Sequence, residues 1–335
     1  MNSANNFDVY KFQQKLFGLS PNEFEAAALE LFQYQYKENL VYQNYCKLIG
    51  VETQKVRSIK AIPFLPISCF KTHEIKTTSF EPEVLFTSSG TSSARTSKHF
   101  VKKLQLYEQS FEHTFEQSYG KINQYRILAL LPSYLERKGS SLVYMAKQLI
   151  EKSGYEESGF FLSDLDVLAN TLTKLAIKNE KVLLIGVSFG LLDFIESFKP
   201  TKNPKLIVME TGGMKGRRKE LIRKELHEKL MQGFQTDCIH SEYGMTELLS
   251  QAYSKGKGSF NTPNWMKVVI RKIDDPFSNA QDGETGGINI IDLANIYSCA
   301  FIQTDDLGKT INNKYFEVLG RFDKSTIRGC NLMVD

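Results

Sequence analysis

The chain has 335 residues, 41% of them hydrophobic and 24% charged, and its formal net charge is +4. These are ordinary globular values, with enough chain for one big domain or two lobes. The charge is too slight to imply nucleic acid or a membrane surface, and no basic stripe of the kind a DNA or RNA binder needs is visible. The start, Met1-Asn2-Ser3-Ala4-Asn5-Asn6, lacks the charged and apolar regions of a secretory signal, and no apolar run approaches the roughly 18 residues that span a bilayer. Cys46, Cys69, Cys238, Cys299 and Cys330 are scattered and form no C-x-x-C, so neither a disulfide framework nor a zinc site is expected. A reducing, cytoplasmic setting follows as the default.

Taken in order, Ser20-Pro21-Asn22-Glu23 reads as a capping box with proline at the first helical position. The helix it opens has an apolar face of Phe24, Ala28, Leu31 and Phe32, with Gly50 as its stop. Tyr34, Tyr36, Tyr42 and Tyr45 in its second half are expected to pack against the body. Ile62-Pro63-Phe64-Leu65-Pro66-Ile67 must be extended, because prolines at that spacing exclude helix.

Val84-Leu85-Phe86 is β-prone and leads into a loop, residues 87–97, in which eight of eleven residues carry hydroxyls. Gly90 lies inside that loop, Arg95 and Lys98 add positive charge, and a helical pattern follows with Leu104, Tyr107, Phe111 and Phe115. Backbone N–H groups beside a glycine, short hydroxyls and nearby cations suit a polyphosphate. The same composition also describes a surface linker.

Apolar strand candidates then alternate with amphipathic helices: a strand over 125–131, helices over 141–152 and 164–178, a strand over 181–187, a helix over 191–198 and a strand over 205–210. This is the rhythm of an α/β layer with a largely parallel sheet. Beyond about residue 260 come short strands, over 265–273, 287–291, 300–303 and 315–319. Asp282, Gly283, Gly286 and Gly287 supply turn chemistry between two of them. The expected organisation is an α/β nucleotide- and acyl-binding body over 1–260 and a smaller β-rich subdomain over 261–335.

Several stretches could carry chemistry. Glu210-Thr211-Gly212-Gly213 ends a strand and leads into a basic helix over 215–230, where Arg217, Arg218, Lys219, Arg223, Lys224 and Lys229 interleave with Glu220, Glu225 and Glu228. That helix reads as a solvated face, or as a dock for an acidic partner. Glu242-Tyr243-Gly244-Met245-Thr246-Glu247 puts an aromatic ring, a permissive glycine, a hydroxyl and a carboxylate within six residues, fit for base stacking, a phosphate contact and Mg²⁺; it could equally be a surface turn. Thr304-Asp305-Asp306-Leu307-Gly308 places carboxylates after a strand, where a ribose diol could bind. Gly186-Val187-Ser188-Phe189-Gly190 matches a hydrolase nucleophile elbow, with Asp237 and His240 as the nearest triad partners.

In order, Thr-Ser-Ser-Gly-Thr-Ser-Ser from residue 87, Glu-Thr-Gly-Gly from 210, Tyr-Gly-Met-Thr-Glu from 243, Thr-Asp-Asp-Leu-Gly from 304 and Gly-Arg-Phe-Asp from 320 resemble the signatures of adenylate-forming enzymes. Within that superfamily the short chain ending in Arg-Gly-Cys-Asn-Leu is similar to LuxE-type acyl-protein synthetases. The resemblance covers most of the chain beyond residue 80. It implies a large adenylate-forming α/β domain with mixed, mainly parallel sheets and a β-rich subdomain. It also implies ATP and Mg²⁺ as cofactors and a fatty or other carboxylic acid as substrate.

Carried over by motif, Ser88, Ser89, Gly90, Thr91 and Ser92 would hold the phosphates, Gly212 and Gly213 would border the adenine, and Tyr243 would stack on it beside Gly244. Thr246 would touch the α-phosphate and Glu247 would hold Mg²⁺. Asp306 would bind the ribose, Arg321 would sit near ribose or phosphate, and Asp323 matches a hinge. Cys330 would accept the acyl group, for delivery to a partner such as an acyl reductase or a carrier protein. The resemblance is incomplete in two places. Ala94-Arg95-Thr96-Ser97-Lys98 stands where relatives carry Gly-x-Pro-Lys. The sequence also ends where larger members continue into a C-terminal lid with a catalytic lysine, so a fold without that lid is expected, with another group or a partner offsetting the charge. Transfer to coenzyme A or a carrier protein, an inactive scaffold, and a hydrolase using Ser188 are the competing expectations.

Overall fold

The computed structural model describes residues 7–88, 96–132, 139–212 and 221–322. Contacts divide the chain into two compact units: the described residues of 1–80 together with those of 264–335, and residues 81–263.

The first unit begins with α1 (Val9–Leu16), α2 (Phe24–Glu38) and α3 (Leu40–Leu48). The Glu23 carboxylate reaches back to the Ser20 N–H at 2.9 Å and accepts from its hydroxyl at 2.6 Å, so half of a capping box forms, and α2 starts only after it. Phe24, Ala28, Leu31 and Phe32 are buried as expected. The single helix expected up to Gly50 is in fact two: Asn39 is extended at φ −104°, ψ 101°, and its side chain caps α3 by accepting from Tyr42 N at 3.0 Å. Tyr42 is buried, donates to Pro63 O at 2.6 Å and stacks on Phe301 at 5.9 Å. The extended proline run contributes β1 (Leu65–Pro66), followed by the short α4 (Cys69–Thr72).

The second unit opens with a hairpin of β2 (Val84–Thr87) and β3 (Lys98–Val101). Then come α5 (Leu104–Tyr119), β4 (Arg126–Leu130), α6 (Ser141–Ser153), β5 (Gly159–Phe160), α7 (Leu165–Ile177), β6 (Val182–Val187), α8 (Ser188–Ser197), β7 (Leu206–Thr211), α9 (Arg223–Phe234) and β8 (His240–Tyr243). Two short strands close the unit, β9 (Ala252–Ser254) and β10 (Ser259–Asn261). Its main sheet runs β10-β9-β8-β7-β6-β4-β5; strands β4 to β8 are parallel, and β9 and β10 are antiparallel to their neighbours. Helix starts follow cap chemistry: Ser140 accepts from Val143 N, and Asp164 accepts from Val167 N. Leu128, Leu130, Val182, Leu184 and Val208 of the sheet pack against Leu168, Leu172, Leu191, Phe194 and Leu230 of α7, α8 and α9. The parallel α/β layer expected from the sequence is therefore present.

The chain then returns to the first unit in β11 (Met266–Arg271), β12 (Gly286–Asp292), β13 (Phe301–Ile311) and β14 (Tyr315–Arg321), paired antiparallel in that order, with β1 parallel to β13. These strands cluster with the N-terminal helices and not with residues 81–263. The buried Gln35 amide donates to Asn295 O at 2.7 Å and Ile296 O at 3.0 Å, and its oxygen accepts from Ala300 N at 2.9 Å. Asn39 and Thr77 both donate to Ser298 O, at 2.9 and 2.6 Å. These bonds satisfy buried backbone groups of the loop between β12 and β13, and a buried group left without any partner costs ~1–3 kcal/mol. Among the described residues, no helix is long and apolar enough to cross a membrane.

Gly286 and Gly287 are not turn residues, as expected from the sequence, but lie within β12. A Cβ on Gly286 would collide with the carbonyl of Arg271, and one on Gly287 with its guanidinium. Only Gly283, at φ +83°, serves the turn.

Candidate functional site

In the second unit the parallel strands β6, β7 and β8 end side by side, at Val187, Thr211 and Tyr243, and Ser188, Gly212 and Gly244 follow them. The carboxyl ends of such strands are where open α/β sheets bind ligands. Thr211 stands opposite Glu242 in the β7–β8 register, so Glu-Thr-Gly-Gly and Tyr-Gly-Met-Thr-Glu are neighbours by pairing.

The hydroxyl-rich loop is tied to the same place at its base. Thr87 N donates to Gly139 O at 2.8 Å, just before α6, and the buried His99 of β3 shares a 2.8 Å hydrogen bond between Nδ1 and Thr246 O. Ser88 closes the loop base: its N–H donates to Ser97 O at 3.1 Å, and its hydroxyl accepts from Ser97 N at 2.9 Å. Ser89, Gly90, Thr91 and Ser92 lie outside the described residues, as do Gly213, Asp323 and Cys330. Lys98 is an exposed residue of β3.

Tyr243 is buried, with its ring edge-on to Phe260 at 5.9 Å. Gly244 is exposed, and any side chain there would run into the Glu242 carboxylate. Thr246 is half-buried and Glu247 buried. Among the described residues no group of three His, Cys, Asp or Glu could hold a metal by itself.

Behind these motifs lies a buried polar network that sequence reading missed. Thr211 donates its hydroxyl to Glu242, and Ser188 donates to Gly212 O at 2.8 Å, with Glu210 at 3.5 Å. Glu210 in turn faces Arg223 at 3.7 Å and His227 at 3.6 Å, while Arg223 also covers the Phe260 ring at 5.0 Å. Arg223 is thus part of this network and not only of a solvated helix face. The elbow serine is not arranged for a triad, because its hydroxyl donates to a backbone carbonyl and has a carboxylate, not an imidazole, as its next partner. Asp237 is exposed, and His240 Nδ1 pairs with the Tyr119 hydroxyl at 3.1 Å. Burial and then Lys255 hold His240 down to about 4, so it stays neutral.

Burial pushes Glu242 up from 4.5 to about 7; the Thr211 hydroxyl opposes the shift and Glu210 adds to it. The folded chain then holds a proton that the unfolded chain releases, so the contribution of Glu242 is whole at acid pH and is lost as pH rises through 7. The loss amounts to something on the order of 3 kcal/mol. Urea unfolding at pH 5 and pH 8 should show Glu242→Gln losing less stability than wild type over that interval. Equal losses in the two proteins would remove the assignment.

In the first unit, Asp306 and Arg321 are direct partners across β13 and β14, with Arg321 Nε 3.2 Å from Asp306 Oδ1. The register slips between Leu307 and Gly308, a bulge that re-aims the end of β14. Asp305 is exposed and Asp306 buried, so only one of the adjacent carboxylates is built into the strand pairing.

The acyl-protein synthetase family model, LuxE, matches residues 161–335, more than half of the chain. The chain belongs to this family. A LuxE-type relative, the long-chain-fatty-acid–luciferin-component ligase of Aliivibrio fischeri, is 25% identical over 336 residues, covering 90% of this chain and 85% of its own. Among solved structures, the ATP-bound MatB of Rhodopseudomonas palustris is similar with a TM-score of 0.54 at 16% identity, over 73% of this chain and 50% of that one. An open form of 2-hydroxyisobutyryl-CoA ligase, in complex with 2-HIB-AMP and CoA, gives 0.62 at 10% identity, over 97% and 75%. The LuxE-type chain therefore has the adenylate-forming fold, and it spans about half the length of the MatB chain it matches.

Proposed function

We propose that this acyl-protein synthetase activates a carboxylic acid, a long-chain fatty acid by family, with ATP and then passes the acyl group to a thiol, its own Cys330. A carboxylate is a poor electrophile, and joining it to AMP supplies the leaving group. The acid's carboxylate oxygen bonds to the α-phosphorus as the bond to pyrophosphate breaks. The thiol then loses its proton to solvent, its sulfur bonds to the acyl carbon, and AMP departs.

The observation that carries this reading is the meeting of Glu-Thr-Gly-Gly and Tyr-Gly-Met-Thr-Glu at the ends of β7 and β8, with the phosphate-loop hairpin bound to Thr246 through His99. By this reading Thr246 meets the α-phosphate, Gly212 and Gly213 border the adenine beside Tyr243 and Gly244, and residues 88–92 hold the β- and γ-phosphates. Asp306 and Arg321 take the ribose end. The buried Glu247 beside Thr246 supplies one carboxylate, which suits Mg²⁺, an ion that draws most of its ligands from phosphate oxygens and water. The metal, when bound, neutralises charge on the phosphates. Backbone and hydroxyl donors fixed in advance do the rest at the transferring phosphorus. Delivery of the acyl group to a reductase or carrier protein, in a reducing cytoplasm that keeps the thiol free, completes the proposal.

Pyrophosphate release with ATP, Mg²⁺ and fatty acids of increasing length, followed by intact-mass analysis, tests it. An acyl mass retained on the chain and removed by hydroxylamine is the expected result. Free acyl-CoA formed only when coenzyme A is added would assign the protein as a ligase instead, and silence with every acid would leave a non-catalytic scaffold.

A further inference from the structure

One buried cation in the first unit has no part in the motifs, yet it touches the strands that carry two of them. Arg271 closes β11, with 5% of its surface exposed. Its Nη1 donates to Ile288 O at 3.0 Å and to Asn289 Oδ1 at 2.9 Å in β12, and its Nη2 donates to Thr304 O at 2.8 Å in β13. Its guanidinium lies over the Phe322 ring at 5.3 Å, and Phe322 N donates to Asp305 O at 2.8 Å. The Thr304 hydroxyl repeats the link: it donates to Ile288 O at 2.8 Å and accepts from Asp306 N at 3.1 Å.

The backbone is shaped around this side chain. The β12–β13 register slips between Gly287 and Asn289, opposite the place where the guanidinium enters. A Cβ on Gly287 would occupy the guanidinium's position, so a glycine there leaves room for the planar fork. The groups Arg271 reaches include Thr304, two residues before Asp306, and Phe322, next to Arg321. A planar fork satisfying several fixed acceptors at once is something lysine cannot reproduce.

We propose that Arg271 is a positioning residue for nucleotide binding, which fixes Asp306 and, through Phe322, Arg321 in the geometry that recognises the ribose hydroxyls. This rests on the reading of Asp306 as the ribose-binding carboxylate. Arg271 does not touch the nucleotide. It sets where the β13 carboxylate stands relative to the end of β14, and the Gly287 opening and the Asn289 amide exist to hold it.

The test is the ratio of Kd values for 3′-deoxy-ATP and ATP, measured on the full chain by calorimetry. A ribose-reading carboxylate makes that ratio roughly tenfold or more in wild type. Arg271→Met is expected to bring it close to one, and Arg271→Lys to restore only part of it. Asn289→Ala, which removes one acceptor and leaves the cation in place, is expected to lower the ratio by a few-fold and decides the matter if Arg271→Met does not fold. A purely structural role would weaken both nucleotides alike and leave the ratio at its wild-type value; that outcome in a folded Arg271 or Asn289 variant overturns the proposal. Asp306→Ala separates the two ideas. If it keeps full discrimination, the ribose reading itself is wrong and the inference falls with it. If it loses discrimination while the Arg271 and Asn289 variants keep it, only the role of Arg271 fails.

Discussion

Asp306→Ala is expected to raise the KM for ATP about a hundredfold while leaving the KM for the acid within a few-fold. A ribose diol offers two hydroxyl donors, and hydrogen bonds to a charged acceptor contribute ~1.5–3 kcal/mol each. Losing about 3 kcal/mol corresponds to roughly two powers of ten in binding. Asp306→Asn keeps one carbonyl acceptor in place, so about a tenfold rise is expected there. Neither change should unfold the chain. The group left without its carboxylate is the Arg321 side chain, which is 82% exposed, so water takes the carboxylate's place and little stability is lost. Acid-dependent pyrophosphate release across a range of ATP concentrations gives the number. An unchanged KM would remove Asp306 from the nucleotide site.

Cys330→Ser should separate the two halves of the reaction. Pyrophosphate release should continue at a rate within a few-fold of wild type, whereas hydroxylamine-labile acyl mass should drop by at least about a thousandfold, because serine at neutral pH has almost no oxyanion to attack the acyl carbon. The other cysteines support this choice. Burial pushes the thiols of Cys46, Cys69, Cys238 and Cys299 upward, Cys46 to about 12, which leaves little thiolate on any of them at neutral pH. Acyl mass found on Cys330→Ser would place the acceptor elsewhere, and peptide mapping of that species would say where.

Much of the α/β body was legible because its signals are local. Buried strands such as β6 read as continuous apolar runs, and Ser140 and Asp164 announce the helices they cap. The motif segments were legible for the same reason, being contiguous. What escaped were features decided by distant partners. Asn39 looks like one more polar residue on a helix until its amide is seen holding Ser298 O, and that bond goes with the break between α2 and α3. The strands β5, β9 and β10 are two or three residues long, too short for periodicity to show. Gly286 and Gly287 carried the composition of a turn but serve the close approach of a side chain from another strand. Glu242 sat inside a quoted motif without a role, since nothing in its neighbours says that Thr211 and Glu210 will lie beside it. Arg271 shares β11 with a second cation, the exposed Lys267, and nothing in the sequence says which of the two is buried in a network.

The first unit is built from the two ends of the chain, and this bears on how the protein is made. During synthesis, residues 81–263 can begin to collapse on themselves once they have left the ribosome. Helices α1 to α3 emerge before that unit but find the loop that satisfies Gln35 and Asn39 only after residue 300 is out. Until then their apolar faces have no permanent cover, so these helices, made before residues 81–263, are protected only after them.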